Sequence, residues 1–157
     1  MTETVLPRGF STTPPRSASQ RKTDVLTLLD RERHLWLATA GPNGPHLIPL
    51  GCAWDGRRLV MATHEENLTV RNIRRRGRAR AALGSVTDVV LIDGVVDVAR
   101  AGDEQALEGV RADALPMDPR RAHDRVFLLL TPQRILTWRH RGELAGRTIM
   151  ANGNWLA

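Results

Sequence analysis

The sequence is poor in cysteine and contains no long hydrophobic run. Cys52 is the only cysteine among 157 residues, which excludes an internal disulfide and any metal site built from several cysteines. No apolar run approaches the roughly 18 residues that a membrane helix needs, and the N-terminal residues lack the apolar segment of a secretory signal. These absences favour a cytoplasmic protein in a reducing compartment.

Lysine is also nearly absent, so arginine supplies almost all of the positive charge. Lys22 is the only lysine, and the formal net charge is +6. The excess is concentrated near the N-terminus and in residues 71–80, which include six arginines and no acidic residue. Such a block is compatible with three partners: nucleic acid, a membrane surface or a phosphorylated small ligand.

Aromatic residues are scarce, and this bears on the choice among those partners. The chain has no tyrosine and only two phenylalanines, and no strand pattern interleaves aromatic with basic residues. Proteins that bind single-stranded nucleic acid usually stack bases on aromatic side chains. Nucleic acid is therefore the weaker alternative, and we expect neither a nucleic acid nor a membrane as partner.

The chain divides into a leader, one domain and a tail. Residues 1–20 are rich in Ser, Thr and Pro without periodicity, which is typical of a flexible leader. Residues 21–142 carry the patterns of a single folded domain, beginning with a short amphipathic helix at residues 22–33. Residues 143–157 are interpreted as a C-terminal tail.

The domain is predicted to consist mainly of β-strands joined by tight turns, with little α-helix. Asn43-Gly44 and Asp55-Gly56 are turn sequences, and residues 103–114 have helical composition, although Gly109 weakens that prediction. Repeated strand–turn–strand units with few helices favour an antiparallel barrel. The predicted strands are residues 35–40, 45–54, 58–63, 78–84, 89–99, 126–131 and 134–139, the last two forming a hairpin across Pro132 and Gln133.

The segment between the third and fourth strands is the most informative part of the chain. It leaves an apolar strand at Thr63, forms a short helix that includes Thr69 and Arg71, and ends at Gly77. Free N–H groups at a helix start, nearby hydroxyls and an arginine together make an anion site, most often for phosphate. We therefore predict that Thr63, Thr69 and Arg71 bind a ligand's phosphate. In the alternative, Thr69 is only a capping hydroxyl and Arg71 a solvated helix residue.

Two motifs of the chain, together with their order along the sequence, resemble those of the pyridoxamine 5′-phosphate oxidase-like split-barrel superfamily. They are Leu-Ala-Thr-Ala-Gly-Pro-Asn-Gly-Pro-His at residues 37–46 and Thr-Val-Arg-Asn-Ile-Arg-Arg at residues 69–75. Within the superfamily the chain is most similar to the flavin/deazaflavin oxidoreductase branch, over about residues 22–140. The resemblance implies a six- or seven-stranded antiparallel split β-barrel with short flanking helices. It also implies a homodimer, with FMN or the deazaflavin coenzyme F-420 in a groove shared by two subunits.

The resemblance assigns roles to residues of the helix segment. In family members the strand before the short helix, and the helix itself, hold the cofactor phosphate. This implies phosphate binding by Thr63 as the hydroxyl at the strand end, and by Arg71 and Asn72 in the helix. Many relatives have a lysine at the position of Thr69, which cannot supply charge, so Arg71 would have to compensate.

The resemblance assigns further roles to the second strand and the C-terminal region. The second strand of relatives commonly runs beside the tricyclic ring, which implies that place for Pro49, Leu50 and Gly51. Trp138 echoes the Trp-plus-basic ending of some deazaflavin-branch members and is a candidate for lining the pocket. The substrate-binding Arg and His pattern of true pyridoxamine phosphate oxidases is missing, so vitamin B6 chemistry is not predicted.

No nucleophile–base constellation and no metal-ligand spacing is visible, so we assign neither catalytic residues nor metal ligands. A flavin or deazaflavin carries hydride chemistry itself. We expect an FMN- or F-420-dependent oxidoreductase that transfers hydride between the cofactor and a small redox-active molecule. The alternative is a protein of the same fold that binds or carries flavin, deazaflavin or haem without turnover. The sequence does not separate FMN from F-420.

Overall fold

A computed structural model describes residues 13–157, so most of the predicted flexible leader, residues 1–12, lies outside the described residues. The described residues form two α-helices, α1 and α2, three short 3₁₀ segments and eight strands. The helices are α1 (Ala18–Arg31) and α2 (Leu68–Arg76). The strands are β1 (His34–Gly41), β2 (Gly44–Trp54), β3 (Leu59–His64), β4 (Arg78–Ser85), β5 (Asp88–Ala99), β6 (Arg125–Trp138), β7 (Thr148–Ala151) and β8 (Asn154–Trp155).

Six antiparallel strands close into a barrel. Their order is β3-β2-β1-β4-β5-β6, and β3 also pairs with β6 over the full length from Leu59↔Leu130 to His64↔Arg125. The short strands β7 and β8 extend the sheet from β6, and both lie within the segment interpreted as a tail. The prediction of a mainly β, antiparallel split barrel with short flanking helices is confirmed.

The barrel interior is filled by alternate residues of every strand, as the period of two of a β-strand requires. Fully buried examples are Leu37, Met61, Ile92, Leu128 and Ile135. Helix α1 packs its apolar side against one end of this core through a stripe of buried residues: Val25, Leu28 and Leu29. No helix within residues 13–157 is long and apolar enough to cross a membrane.

Strand β6 corrects one sequence prediction. Instead of a hairpin with a turn at Pro132 and Gln133, residues 125–138 form one continuous strand. The register between β5 and β6 shifts at Asp93/Gly94, where Asp93 pairs with Arg134 and Gly94 with Pro132. Gln133 is therefore the extra residue of a β-bulge, which accommodates a proline in a sheet without reversing the chain.

The prediction of a helix at residues 103–114 is also wrong. This region consists of turns followed by a 3₁₀ turn at Ala112–Ala114. Gly109 has a φ of +81°, which is incompatible with a right-handed helix. The apolar residues of the region pack on the outer side of the barrel.

The predicted short helix before the fourth strand is confirmed as α2. Asn67 is the N-cap residue, and Gly77 ends the helix in the left-handed conformation with a φ of +65°. Gly adopts this conformation without a steric penalty, which explains the sharp end before β4.

A buried ion-pair network joins α1 to the C-terminal residues. The carboxylate of Glu143, 1 % exposed, accepts hydrogen bonds from Arg16 Nε at 2.9 Å and Nη2 at 2.8 Å, and from the Arg139 backbone N–H at 2.8 Å. The hydrogen bonds from Arg16 lower the pKa of Glu143 to about 2, against the effect of desolvation. Arg16 also donates to Asp24 on α1 at 2.9 Å. We call these groups the Glu143 network.

Candidate functional site: a cleft where two strands separate

Strands β2 and β3 pair over only part of their length and then separate. Their ladder runs from Trp54↔Leu59 to Cys52↔Met61, while β2 continues along β1 and β3 along β6. Where the two strands part, a cleft of about 320 Å³ opens on the barrel. Its lining residues come from β2, β3, the start of α2 and a distant loop: Pro49, Leu50, Gly51, Ala62, Thr63, His64, Asn67, Leu115, Pro116 and Met117.

The cleft brings together four of the residues predicted from the sequence. Pro49, Leu50 and Gly51 on β2 face Thr63 at the end of β3 across the gap. The β2 side is apolar and carries no charge, whereas the β3 side ends in hydroxyl, imidazole and amide groups. The cleft is therefore suited to a ligand with a flat apolar part and a polar end.

The polar end of the cleft is the N-terminus of α2. The Asn67 side chain does not cap the helix but donates from Nδ2 to Thr63 Oγ1 at 2.6 Å. The first N–H groups of a helix have no intrahelical partner, and the helix dipole adds a partial positive charge there. An anionic group at this end would find backbone donors in a favourable field.

Arg71 adds a full positive charge to the same place. Its side chain is exposed, and Nη2 donates to the carbonyl oxygen of Glu66 at 3.2 Å, so the guanidinium folds back towards the helix start. Two other arginines nearby, Arg74 and Arg100, are instead paired with the Glu65 carboxylate. These pairs lower the pKa of Glu65, chiefly through the hydrogen bond from Arg100.

Thr69 and Asn72 lie behind the cleft, on the buried side of α2. Thr69 is 0 % and Asn72 1 % exposed, and Asn72 Nδ2 donates to Thr39 Oγ1 on β1 at 3.1 Å. Thr69 Oγ1 and Asn72 Oδ1 have no hydrogen-bond partner within the described part of the chain. A Cβ on Gly41 would lie 2.7 Å from Asn72 Oδ1, so a larger residue there would displace the Asn72 amide. Neither residue lines the cleft, but both carry unused acceptors beside the helix start.

Trp138 is not brought to this cleft. It is half-buried near the C-terminal end of β6 and pairs with Val89, whereas the cleft adjoins the opposite end of β6, where His64 pairs with Arg125. Among the described residues, the cleft lining does not include it.

Sequence reasoning missed the partners of His64 at the cleft mouth. His64 Nδ1 lies 2.9 Å from Asp124 Oδ2, and its Nε2 lies 3.1 Å from Arg125 Nη1. The same Arg125 nitrogen contacts the Met117 sulfur. No spacing in the sequence connects these residues, because β3 and the start of β6 are sixty residues apart and meet only when the barrel closes.

The remaining reactive groups contribute no further centre. Within residues 13–157, no cluster of three or more His, Cys, Asp or Glu side chains could hold a metal ion. Cys52 is buried, and desolvation raises the pKa of its thiol to about 11. A thiol with such a pKa is not a nucleophile at neutral pH.

Comparisons with known proteins agree with this architecture. The model of the family described as pyridoxamine 5′-phosphate oxidase matches residues 22–139, whereas none of the curated proteins matches the chain. An F-420 reductase structure is 24 % identical, with a TM-score of 0.56 and coverage of 69 % of this chain and 93 % of that one.

Two other solved structures show how varied the ligands on this fold are. A pyridoxamine 5′-phosphate oxidase-related, FMN-binding protein from Nostoc punctiforme is 20 % identical, with a TM-score of 0.54 and coverage of 83 % of both chains. A heme-binding protein from Mycobacterium smegmatis is 21 % identical, with a TM-score of 0.59 and coverage of 88 % of this chain and 59 % of that one. At these identities the likeness concerns the fold. Together with the family match over residues 22–139, it establishes that the chain belongs to the pyridoxamine 5′-phosphate oxidase-like split-barrel superfamily.

Proposed function

We propose that the protein is a cytoplasmic oxidoreductase that binds FMN or coenzyme F-420 in the cleft between β2 and β3 and exchanges a hydride with a small redox-active molecule. The cleft itself is the observation that carries the proposal. Its volume of about 320 Å³ is at the lower end of the roughly 300–1,000 Å³ of ligand pockets. Its apolar β2 side and polar helix end match a ligand that combines a flat ring with a phosphate.

The residues present fit such a cofactor. Arg71 and the first N–H groups of α2 would hold the phosphate, and Thr63 and Asn67 would align the polar end. The unpartnered acceptor Thr69 Oγ1 has a hydroxyl hydrogen to donate to an anion beside the same helix start. Pro49 and its neighbours on β2 would flank the ring. The bound ring supplies the hydride chemistry, while the protein supplies position and excludes water.

The proposal includes a homodimer, because one apolar surface of the barrel is not covered by any of residues 13–157. Outward side chains of β1, β2, β4 and β5 form what we call the outer face: Trp36, Leu47, Pro49, Ala82 and Leu91. Trp36 is 51 % and Leu47 58 % exposed. Exposed apolar patches of this kind mark protein interfaces.

The outer face also reaches the cleft. Pro49 lines the cleft and pairs with Trp36 across the β1–β2 ladder, so a second copy seated on this face would extend the cleft wall. Trp138 lies beside the same face, paired with Val89. Its predicted contact with a cofactor would therefore require the cleft of the second copy.

Sedimentation equilibrium tests the homodimer. We expect the wild-type protein to be a dimer and Trp36→Lys to be a monomer that still folds, because the tryptophan side chain is on the surface. Leu156→Lys, at a 58 % exposed apolar residue that follows β8 and does not belong to the outer face, is the matched control and should leave the dimer intact. A monomeric wild-type protein would contradict this part of the proposal.

Absorbance and titration test the cofactor. We expect the purified protein to bind FMN or F-420 with micromolar or tighter affinity, measured by fluorescence quenching. We further expect it to oxidise the reduced cofactor when an acceptor such as a quinone is added. Failure to bind either cofactor would overturn the proposal.

A carrier function is the second candidate, because the same fold occurs in a heme-binding protein. Catalytic turnover distinguishes an oxidoreductase from a carrier. A protein that binds FMN, F-420 or haem tightly but never accelerates oxidation of the reduced cofactor by any acceptor is a carrier.

A further inference from the structure

One loop of the chain, residues 101–122, crosses the outer side of β3 and β6 and ends at the cleft. We call it the strap. Its apolar side chains, including Leu107, Val110 and Leu115, pack on Val60 and Phe127 of the barrel. This small second core holds the strap in place although it contains no α-helix.

Arg58 clamps the strap to the barrel. Its guanidinium donates from Nη1 to the carbonyl oxygen of Ala106 at 2.9 Å and from Nη2 to that of Glu108 at 3.1 Å. Nε donates to Asp55 Oδ2 at 3.0 Å. Arg58 is 8 % exposed, and a buried arginine with all three nitrogens engaged is a rigid anchor.

The other end of the strap forms a wall of the cleft. Leu115, Pro116 and Met117 line it opposite β2. A Cβ atom added to Gly51 would lie 2.5 Å from Pro116 Cδ and would overlap Cγ as well. The ring of Pro116 therefore occupies the space that a side chain at residue 51 would otherwise fill.

We propose that Pro116 limits the width of the molecule that can enter the cleft at Gly51, and that Arg58 is the positioning residue that keeps this wall closed. The inference rests on the proposed oxidoreductase function, since it concerns the acceptor of the same site. The wall is entirely apolar and rigid at proline. It therefore favours narrow planar acceptors, such as a single-ring quinone, over fused-ring acceptors.

Acceptor selectivity of Pro116→Gly is the first test. The substrates are a benzoquinone, a naphthoquinone and an anthraquinone. The reduced cofactor transfers a hydride to each quinone and the solvent supplies a proton, which yields the hydroquinone and the oxidised cofactor. Relative to wild type, we expect kcat/KM for the widest quinone to rise at least tenfold against that for the narrowest, mainly through KM. If the ratio of these two kcat/KM values changes by less than twofold from that of wild type while cofactor binding is intact, Pro116 does not determine acceptor selectivity.

Limited trypsin digestion is the second test and needs no cofactor. The strap contains Arg111, Arg120 and Arg121, whose side chains are exposed. Trypsin needs a locally unfolded backbone to cleave beside them, so release of the strap from the barrel should accelerate cleavage. We expect Gly51→Ala to accelerate cleavage at least fivefold because the new methyl collides with Pro116. The double variant Gly51→Ala/Pro116→Gly should restore slow cleavage. If Gly51→Ala leaves the cleavage rate unchanged, Pro116 does not wall the cleft.

Arg58 is tested in both assays, with Arg57→Ala as the matched control, since Arg57 is exposed in the adjacent position. Arg58→Ala should accelerate trypsin cleavage and shift the quinone ratio in the same direction as Pro116→Gly, whereas Arg57→Ala should do neither. Faster cleavage without a shift in the quinone kcat/KM ratio would show that Arg58 has only a structural role. If wild type binds no cofactor, the proposed function and the selectivity role fail together, and digestion still decides whether the wall exists.

Discussion

Glu143 and Thr69 are both polar and almost fully buried, but they stand in opposite surroundings. The Glu143 carboxylate accepts hydrogen bonds from Arg16 and from the Arg139 backbone, whereas Thr69 Oγ1 has no partner in the described part of the chain. Buried polar groups are normally paired, and exceptions mark strain, function or a missing ligand. The comparison indicates that the Glu143 network stabilises the fold, and it supports the proposal that a ligand binds at the start of α2.

The largest expected effect comes from breaking the Glu143 network. Glu143→Ala should lower the free energy of unfolding by up to about 3–5 kcal/mol, because it removes the nearly fully buried carboxylate that pairs with Arg16 and leaves the guanidinium with Asp24 alone. Urea denaturation measures this, and cofactor affinity of the folded protein should not change. Asp88→Ala breaks only the exposed pair with Arg139 and should cost less than about 1 kcal/mol. Equal losses in both variants would contradict a special role for Glu143.

Lowering the pH should reproduce part of the stability loss expected for Glu143→Ala. The pKa of Glu143 is about 2 in the folded protein, against an ordinary value of 4.5. A lowered folded-state pKa means that this contribution is complete above about pH 5 and is lost as the pH falls from 4.5 towards 2. Urea midpoints at pH 6, 4.5 and 3 should therefore converge between wild type and Glu143→Gln as the pH falls. A gap that is independent of pH would show that the carboxylate charge is not responsible.

At the start of α2, Arg71→Ala should weaken cofactor binding by about 1.5–3 kcal/mol, the range for a hydrogen bond to a charged group. The unfolding free energy should stay within about 0.5 kcal/mol, because the side chain is on the surface. Titration calorimetry measures the affinity, and Arg75→Ala on the same helix is the matched control. Unchanged binding in Arg71→Ala would remove it from the phosphate site.

The smallest expected effect, that of Thr69→Val, distinguishes most clearly between a ligand-binding and a structural role. Thr69→Val replaces an unpartnered hydroxyl with a methyl group of similar shape, so the protein without cofactor should be equally stable or more stable by up to about 1 kcal/mol. Cofactor affinity should fall by about 1 kcal/mol if the hydroxyl donates to the phosphate. Thermal unfolding with and without cofactor measures both. A loss of stability without cofactor would show that Thr69 is simply a structural residue.

The sequence predicted the regular parts of the fold well. Strand alternation located the first five strands, and the turn at Asn43-Gly44 and the helix end at Gly77 follow from residues that tolerate positive φ. It failed at Gln133, where a bulge and a turn have the same local composition and only pairing with β5 decides between them. It also failed at residues 103–114, because packing on Phe127 and the conformation of Gly109 outweigh helix propensity.

The candidate site was predicted in part. Pro49, Gly51 and Thr63 meet in one cleft because β2 and β3 are neighbours, and the family resemblance indicated this. Leu115–Met117 could not be found, since no local pattern shows that a loop more than sixty residues further along the chain returns to Gly51. The predicted contribution of Thr69 and Arg71 to phosphate binding stays a prediction.

The clamp of the strap depends on main-chain oxygen atoms rather than on side chains. Every amino acid carries a carbonyl, so the residues at 106 and 108 can be exchanged during evolution without loss of the bonds from Arg58. Mutations that reshape the rim of the cleft thus need not disturb the barrel. Under the proposed function, altering this one loop would change which acceptors enter the cleft while the scaffold beneath it is inherited intact.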